Sequence, residues 1–208
     1  MSENFSIDVY IAEIPTVVER STLTNQQRER EIASCASPKV QREKYCGWKL
    51  LEYAAYQSFG IKADVAVFKK NDNGKWTSPN FYFSLSHSHN AVAVAVSSAR
   101  VGVDIECFSE KFWTIKDKYL TAEEKIEFNV CQEEERLAFL AEKWTRKESV
   151  FKADIGIFGT AFQPKKIQTN KYNTYSQRID IGDRQYMLSV AADTIDEVRL
   201  YKVAEYLK

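Results

Sequence analysis

Strand-like and helix-like hydrophobic patterns follow one another in an order that this chain uses twice, and that order restricts its fold more than any other feature. Phe5 to Ile14 sets Phe5, Ile7, Val9 and Ile11 at alternate positions, the period of a strand. Two helical segments follow. Thr24 is the expected N-cap of a polar helix reaching Ser34, and Ser37-Pro38 opens a second helix with serine as cap and proline at its first position. There Trp48, Leu51, Ala55 and Phe59 recur at three- and four-residue spacing, and Gly60 ends the helix. Strands are expected over Asp64 to Lys69 and Asn80 to Leu85, around the turn cluster Asn71-Asp72-Asn73-Gly74, and again over Ala91 to Val96. The order then restarts with a strand at Val101 to Glu106. A helix near 122–130 opens on the capping box Thr121/Glu124, and the longest helical pattern runs from Glu133 to Lys152. Antiparallel strands at Tyr172 to Ile181, Gln185 to Ala191 and Glu197 to Val203 complete it, with Gly182-Asp183 as a hairpin turn. The reading is an α+β protein of two halves, residues 1–98 and 99–208, divided near Ser98-Ala99-Arg100. It rests on the order of elements; the residues themselves do not repeat.

Charge and cysteine usage narrow the classes of partner. The chain has 208 residues, with 29 basic and 29 acidic side chains that cancel. A molecule-wide field for nucleic acid is absent, and any polyanion must be met by a local basic patch. Cys35, Cys46, Cys107 and Cys131 form no C-x-x-C pair and no zinc-knuckle spacing. Met1 to Tyr10 lacks the basic region and apolar run of a signal peptide, and no apolar stretch is long enough to span a membrane. A reduced, cytoplasmic protein with no membrane and no nucleic-acid partner is expected.

Three segments carry candidate chemistry. On a strand at Val101-Gly102-Val103-Asp104-Ile105-Glu106, Gly102, Asp104 and Glu106 share one face. Two carboxylates there crowd negative charge unless a cation offsets it, and Mg²⁺, a hard ion that takes oxygen ligands, fits. The same pattern also describes an edge strand with two solvated acids. In the long helix, Leu137, Leu140, Ala141, Trp144 and Phe151 form an apolar stripe with Glu148 in its middle. A carboxylate there is costly unless paired or bound to metal, and Lys152, one turn on, is either its partner or a phosphate contact. Finally, Phe83-Ser84-Leu85-Ser86-His87-Ser88-His89 reads as a strand that breaks into a polar loop, whose hydroxyls and imidazole suit a phosphate. A metal-dependent hydrolase using His87, His89 and Asp104 is the alternative on these residues. It lacks the third histidine that a catalytic zinc site would draw on.

Taken together, FSLSHS at 83–88, GVDIE at 102–106 and KWTRKESVFK at 143–152 resemble, in order and spacing, the three signature blocks of the surfactin-type 4′-phosphopantetheinyl transferases. Asn73-Gly74-Lys75 is similar to that family's Gly-Lys-Pro stretch. The resemblance implies two halves related by pseudo-twofold symmetry with the active site between them. It also implies transfer of the phosphopantetheine arm of coenzyme A to a serine of an acyl, peptidyl or aryl carrier protein, with release of adenosine 3′,5′-bisphosphate. Carried over by position, Asp104, Glu106 and Glu148 would hold Mg²⁺. Glu148 would deprotonate the carrier serine, and Lys152 would stabilise the leaving phosphate. Lys75, Ser86 and His87 would contact coenzyme A phosphates, with Arg28 and Lys44 in looser coenzyme-contacting positions. A monomer is implied as well. A catalytically silent homologue that only docks on carriers is the further alternative, though such a protein would have no use for the three acids and Lys152.

The chain departs from the family pattern at Trp76, which replaces the proline, at Ile155 to Gly159, and at Glu31, where a basic residue is usual. Carrier proteins are acidic, so a basic and partly apolar patch is expected. Phe112, Trp113, Lys116 and Lys118, between Glu106 and the helix at Thr121, are the candidates for it.

Overall fold

The computed structural model describes residues 5–153 and 161–207. Strand β1, Ser6–Glu13, is buried on both faces. Ile7, Val9 and Ile11 enter one core, while Tyr10, Ala12 and Ile14 enter another. Helix α1, Gln26–Ala33, is capped by Asn25, whose side chain accepts the Arg28 amide at 2.9 Å. Thr24, the expected cap, instead donates its hydroxyl to the Ala63 carbonyl at 3.1 Å. Helix α2, Pro38–Phe59, begins at Ser37-Pro38 and stops at Gly60, whose φ of 67° is open to glycine at no steric cost.

Only β2, Lys69–Lys70, and β3, Trp76–Thr77, pair around the Asn71 to Gly74 turn. The strand expected over Asp64 to Lys69 does not form. The Val65 and Ala66 amides fold back onto the Lys62 carbonyl at 3.1 and 2.9 Å, and Val65 and Val67 stay exposed, so the alternation finds no neighbour to pair with. Strand β4, Tyr82–Ser88, runs on through Ser86-His87-Ser88, where a polar loop was expected. It pairs along its length with β5, Ala91–Ser97, which also pairs with β1. After the short link at 98–100 comes β6, Val101–Cys107.

Helix α3, Lys111–Tyr119, occupies a stretch that carried no expected element. Helix α4, Ala122–Val130, starts on the capping box read from Thr121 and Glu124. Glu133–Glu135 is a 3-10 turn, so the long helix proper is α5, Arg136–Ala153. Strands β7, Asn173–Ile181, and β8, Arg184–Ala192, form the hairpin at Gly182, whose φ is 59°. Strand β9, Glu197–Val203, was expected with the antiparallel strands of the second half. It lies parallel to β1 instead and completes the first sheet, in the order β4-β5-β1-β9. The second sheet is β6-β8-β7.

The layers run helix, sheet, sheet, helix. Trp48, Leu50 and Leu51 of α2 pack on the outer face of the first sheet with Phe83, Val92, Val94 and Val96. The inner faces meet through Ile7, Val9, Ile11, Val103, Ile105, Leu188 and Val190. Each large side chain buried this way contributes about 1.5–3 kcal/mol. Helix α5 covers the second sheet, with Leu140 and Ala141 near Met187, and Val150 and Ala153 near Ala191. Fully buried Lys147 fastens it further, with Glu124 at 2.8 Å and the Tyr119 and Pro164 carbonyls at 2.9 and 3.1 Å. Among the described residues no helix is long and apolar enough to cross a membrane.

Candidate active site

Helix α5 can lie directly on β6 because residue 102 is glycine: a Cβ there would strike the Ser149 carbonyl and the Ala153 backbone. Asp104, next on the same face of β6, therefore meets the turn of α5 that carries Glu148 and Lys152. The Lys152 ammonium lies 2.7 Å from Asp104 Oδ1 and 4.0 Å from Glu148 Oε2.

The other wall is β4. Its serines, two residues apart, all face β6, which accounts for a polar sequence continuing as strand. Ser84 Oγ accepts the Val103 amide at 3.1 Å, and Ser86 Oγ donates to Asp104 Oδ1 at 2.7 Å. Ser88 Oγ donates to Glu106 Oε2 at 2.6 Å and accepts the Cys107 amide at 3.2 Å. Lys152 also donates to Ser86 Oγ at 3.0 Å, closing a three-membered ring with Asp104. Lys111, a residue the sequence did not single out, completes the cluster with its ammonium 2.7 Å from Glu106 Oε2.

Burial raises the Asp104 carboxyl against the pull of Lys152. Burial also opposes charge on Lys152, but Asp104 and Glu148 outweigh it and hold the ammonium above its ordinary range. Glu148 is pushed up to about 7, chiefly by burial, with Asp104 and Glu106 adding to the rise and Lys152 opposing it. The unfolded chain loses this proton near pH ~4.3. Between there and about 7 the native state holds more protons, so stability falls as pH rises through that window. Urea unfolding of the metal-free chain is expected to show a loss on the order of 2 kcal/mol from this group between pH 5 and 8. Glu148→Gln should flatten that part of the profile; an identical profile in the variant would contradict the assignment.

The donor set suits a hard divalent ion. Asp104 Oδ2 is buried without a hydrogen-bond partner, and it faces the kind of demand that an oxygen-seeking cation answers. The acids do not stand as a ready cage. Among the described residues no three His, Cys, Asp or Glu side chains are grouped to hold a metal; Lys152 sits against Asp104 and Glu148, and Lys111 against Glu106.

Lys75 follows the β2–β3 turn, where Asn71 Oδ1 accepts the Asn73 and Lys75 amides at 3.1 and 2.9 Å. Its ammonium reaches the Lys152 carbonyl at 2.7 Å, at the end of α5. A cavity of about 420 Å³ opens beside it, lined by Lys75, Trp76, Phe83, Leu85, Phe151 and Lys152. His87 points to the opposite face of β4 from Ser86, with Nδ1 3.8 Å from Glu43. His89 is exposed in the β4–β5 turn, so His87, His89 and Asp104 do not converge as the hydrolase alternative requires.

Arg28 and Lys44 are held outside this cluster. The Arg28 guanidinium lies 5.1 Å over the Trp48 ring, and Lys44 donates to Cys35 Sγ at 3.2 Å. Two of the departures from the family pattern prove to be one feature. Trp76 Nε1 donates to Glu31 at 3.3 Å, and Glu31 also pairs with Lys70 at 2.5 Å and Arg28 at 3.5 Å. The third departure, Ile155 to Gly159, lies outside the described residues. In the expected basic patch, Phe112 is fully buried against Tyr119, Leu140 and Met187 and belongs to the core, while Lys116 and Lys118 lie on α3.

Sequence reasoning missed Lys111 and Lys147, and it gave the Ser88 hydroxyl to a phosphate-binding loop where the structure spends it on Glu106. The period-two serines were a legible strand signal, and Lys147 sits three residues after Trp144 on the apolar side of α5. Lys111 left no local signal.

A family model described as the 4′-phosphopantetheinyl transferase superfamily matches residues 100–204. The 4′-phosphopantetheinyl transferase gsp of Aneurinibacillus migulanus is 25% identical over 154 residues, covering 71% of this chain and 65% of that protein. The 4′-phosphopantetheinyl transferase psf-1 of Bacillus pumilus is 28% identical over 114 residues, covering 53% of this chain and 49% of its own. The chain thus spans about half to two thirds of the length of these curated relatives. The family match takes in half the chain, including β6 with Asp104 and Glu106 and α5 with Glu148 and Lys152, and on that match the chain belongs to the 4′-phosphopantetheinyl transferase superfamily.

Proposed function

We propose that this chain transfers the 4′-phosphopantetheine arm of coenzyme A to a serine of an acidic carrier protein, with Mg²⁺ as cofactor. The observation that carries the reading is the buried Asp104 carboxylate, one oxygen tied to Lys152 and Ser86 and the other without a partner. The family match and the activity for which the two relatives are named support it.

In this reading the serine oxygen forms a bond to the phosphorus next to the pantetheine arm. The pyrophosphate P–O bond breaks, and adenosine 3′,5′-bisphosphate leaves. Glu148, with a proton affinity near neutrality, takes the serine proton directly or through a water. Lys152 offsets charge on the leaving phosphate, and Lys75, Ser86 and His87 orient the coenzyme's phosphates. Arg28 and Lys44 extend the contact along the α1–α2 side. Asp104, Glu106 and Glu148 would hold Mg²⁺, which when bound supplies Lewis-acid neutralisation of the pyrophosphate charge.

The two halves, 1–98 and 99–208, would be related by a pseudo-twofold axis with the site between them. The like strand orders β1-β5-β4 and β6-β8-β7 support that arrangement, with β9 reaching back to the first sheet. Trp113, Lys116 and Lys118 of α3 would meet the carrier, and the protein would act as a cytoplasmic monomer.

Incubating the chain with coenzyme A, Mg²⁺ and a panel of apo carriers is expected to add the arm's mass to at least one of them, and chelation of the metal should prevent it. Carrier binding without any mass gain would instead identify a silent homologue.

A further inference from the structure

Lys111 occupies a position that local helix physics disfavours. It is the first residue of α3, where the helix dipole favours an anion, and Glu110 before it makes no side-chain cap. The first turn carries no acid to compensate. What holds the ammonium lies elsewhere: Glu106 Oε2 at 2.7 Å and the face of the Phe112 ring, 5.0 Å from its centroid.

The same carboxylate oxygen accepts from Ser88 at 2.6 Å, so Glu106 keeps its orientation without Lys111. The two partners also differ in freedom. The Glu106 side chain is 17% exposed and that of Lys111 is 44% exposed, so the lysine can swing into water without opening the core. Lys152 plays the corresponding part for Asp104, but it is bonded to Ser86 as well and is carried by α5 itself. Of the two ammoniums paired with these acids, Lys111 is the one that can leave.

We propose that Lys111 is the resident counter-cation of Glu106, displaced when a divalent ion binds, and that it sets how tightly this chain holds its metal. This rests on the metal-binding reading given above. In the free protein Lys111 offsets the charge crowded by Glu106 beside Asp104. When an ion of charge two arrives, the ammonium is a competitor for one carboxylate and a like charge nearby.

Titrating the coenzyme-free full chain with Mn²⁺ and following free Mn²⁺ by electron paramagnetic resonance tests this. Lys111→Gln, which keeps the stem and removes the charge, is expected to tighten the Mn²⁺ Kd about tenfold. Lys111→Arg should remain within about twofold of the wild type, and added salt should narrow the gap between Gln and Lys because the ammonium is partly exposed. Unfolding midpoints that match the wild type would show that the fold is intact. A Kd for Lys111→Gln equal to or weaker than that of the wild type overturns the proposal. Mn²⁺ binding absent from wild type and variants alike overturns the metal reading, and this inference with it.

Discussion

Asp104→Ala and Glu148→Gln should each lower the proposed phosphopantetheine transfer by about a hundredfold or more, while unfolding remains a single cooperative transition. Removing a preorganised charged group commonly costs about 10²–10³ in rate, and removing a general base about 10²–10⁴. Here the losses have separate origins. The Ala change takes away the carboxylate that fixes the Lys152 ammonium at 2.7 Å, together with the unpartnered Oδ2. The Gln change preserves shape at 148 but removes the group able to take a proton. It relieves a carboxylate that burial already disfavours, so stability at neutral pH should hold or rise. Transfer within tenfold of wild type in either variant, measured as mass gained by a carrier, would remove that residue from the role given to it.

Gly102→Ala is expected to destabilise the chain by on the order of 4 kcal/mol, above the ~1–3 kcal/mol usual for an overpacked core. The excess arises because the added carbon meets main chain. It would collide with the Ser149 carbonyl and the Ala153 amide and lie 3.0 Å from Ala153 Cα. No rotamer change relieves that, so α5 must lift from β6. Lys152 and Glu148 then move away from Asp104, and a displacement near ~1 Å can cost about a hundredfold in rate. Urea unfolding and the transfer assay should therefore fall together. A variant as stable and active as the wild type would mean that the helix does not depend on this approach.

Much of the fold was legible where a local rule decides the outcome. Ser37-Pro38 and Gly60 bound α2, Thr121 and Glu124 cap α4, and Gly182 turns the β7–β8 hairpin, each through chemistry confined to a few residues. The misreadings lie where a distant partner decides. Val65 and Val67 alternate like a strand but meet no strand. Ser86 and Ser88 looked like the end of one because the acids that receive their hydroxyls are 18 positions away. The place of β9 beside β1 depends on contacts across the whole chain. At the site, Asp104, Glu106, Glu148 and Lys152 stood out because a carboxylate or ammonium among apolar residues needs a partner. Lys111 did not, since its helix was itself unseen and an exposed-looking lysine asks for no explanation.

The serines of β4 have a consequence for how binding is felt through the molecule. No backbone ladder joins β4 to β6 among the described residues; the two sheets are stitched at this edge by hydroxyls, two of which end on the acids themselves. A ligand that redirects either acid must therefore loosen a stitch, so cohesion and chemistry draw on the same oxygen atoms. A hydroxyl can turn to a new acceptor where a ladder amide cannot, which makes this edge the place where the molecule can yield to its ligand without unravelling a sheet.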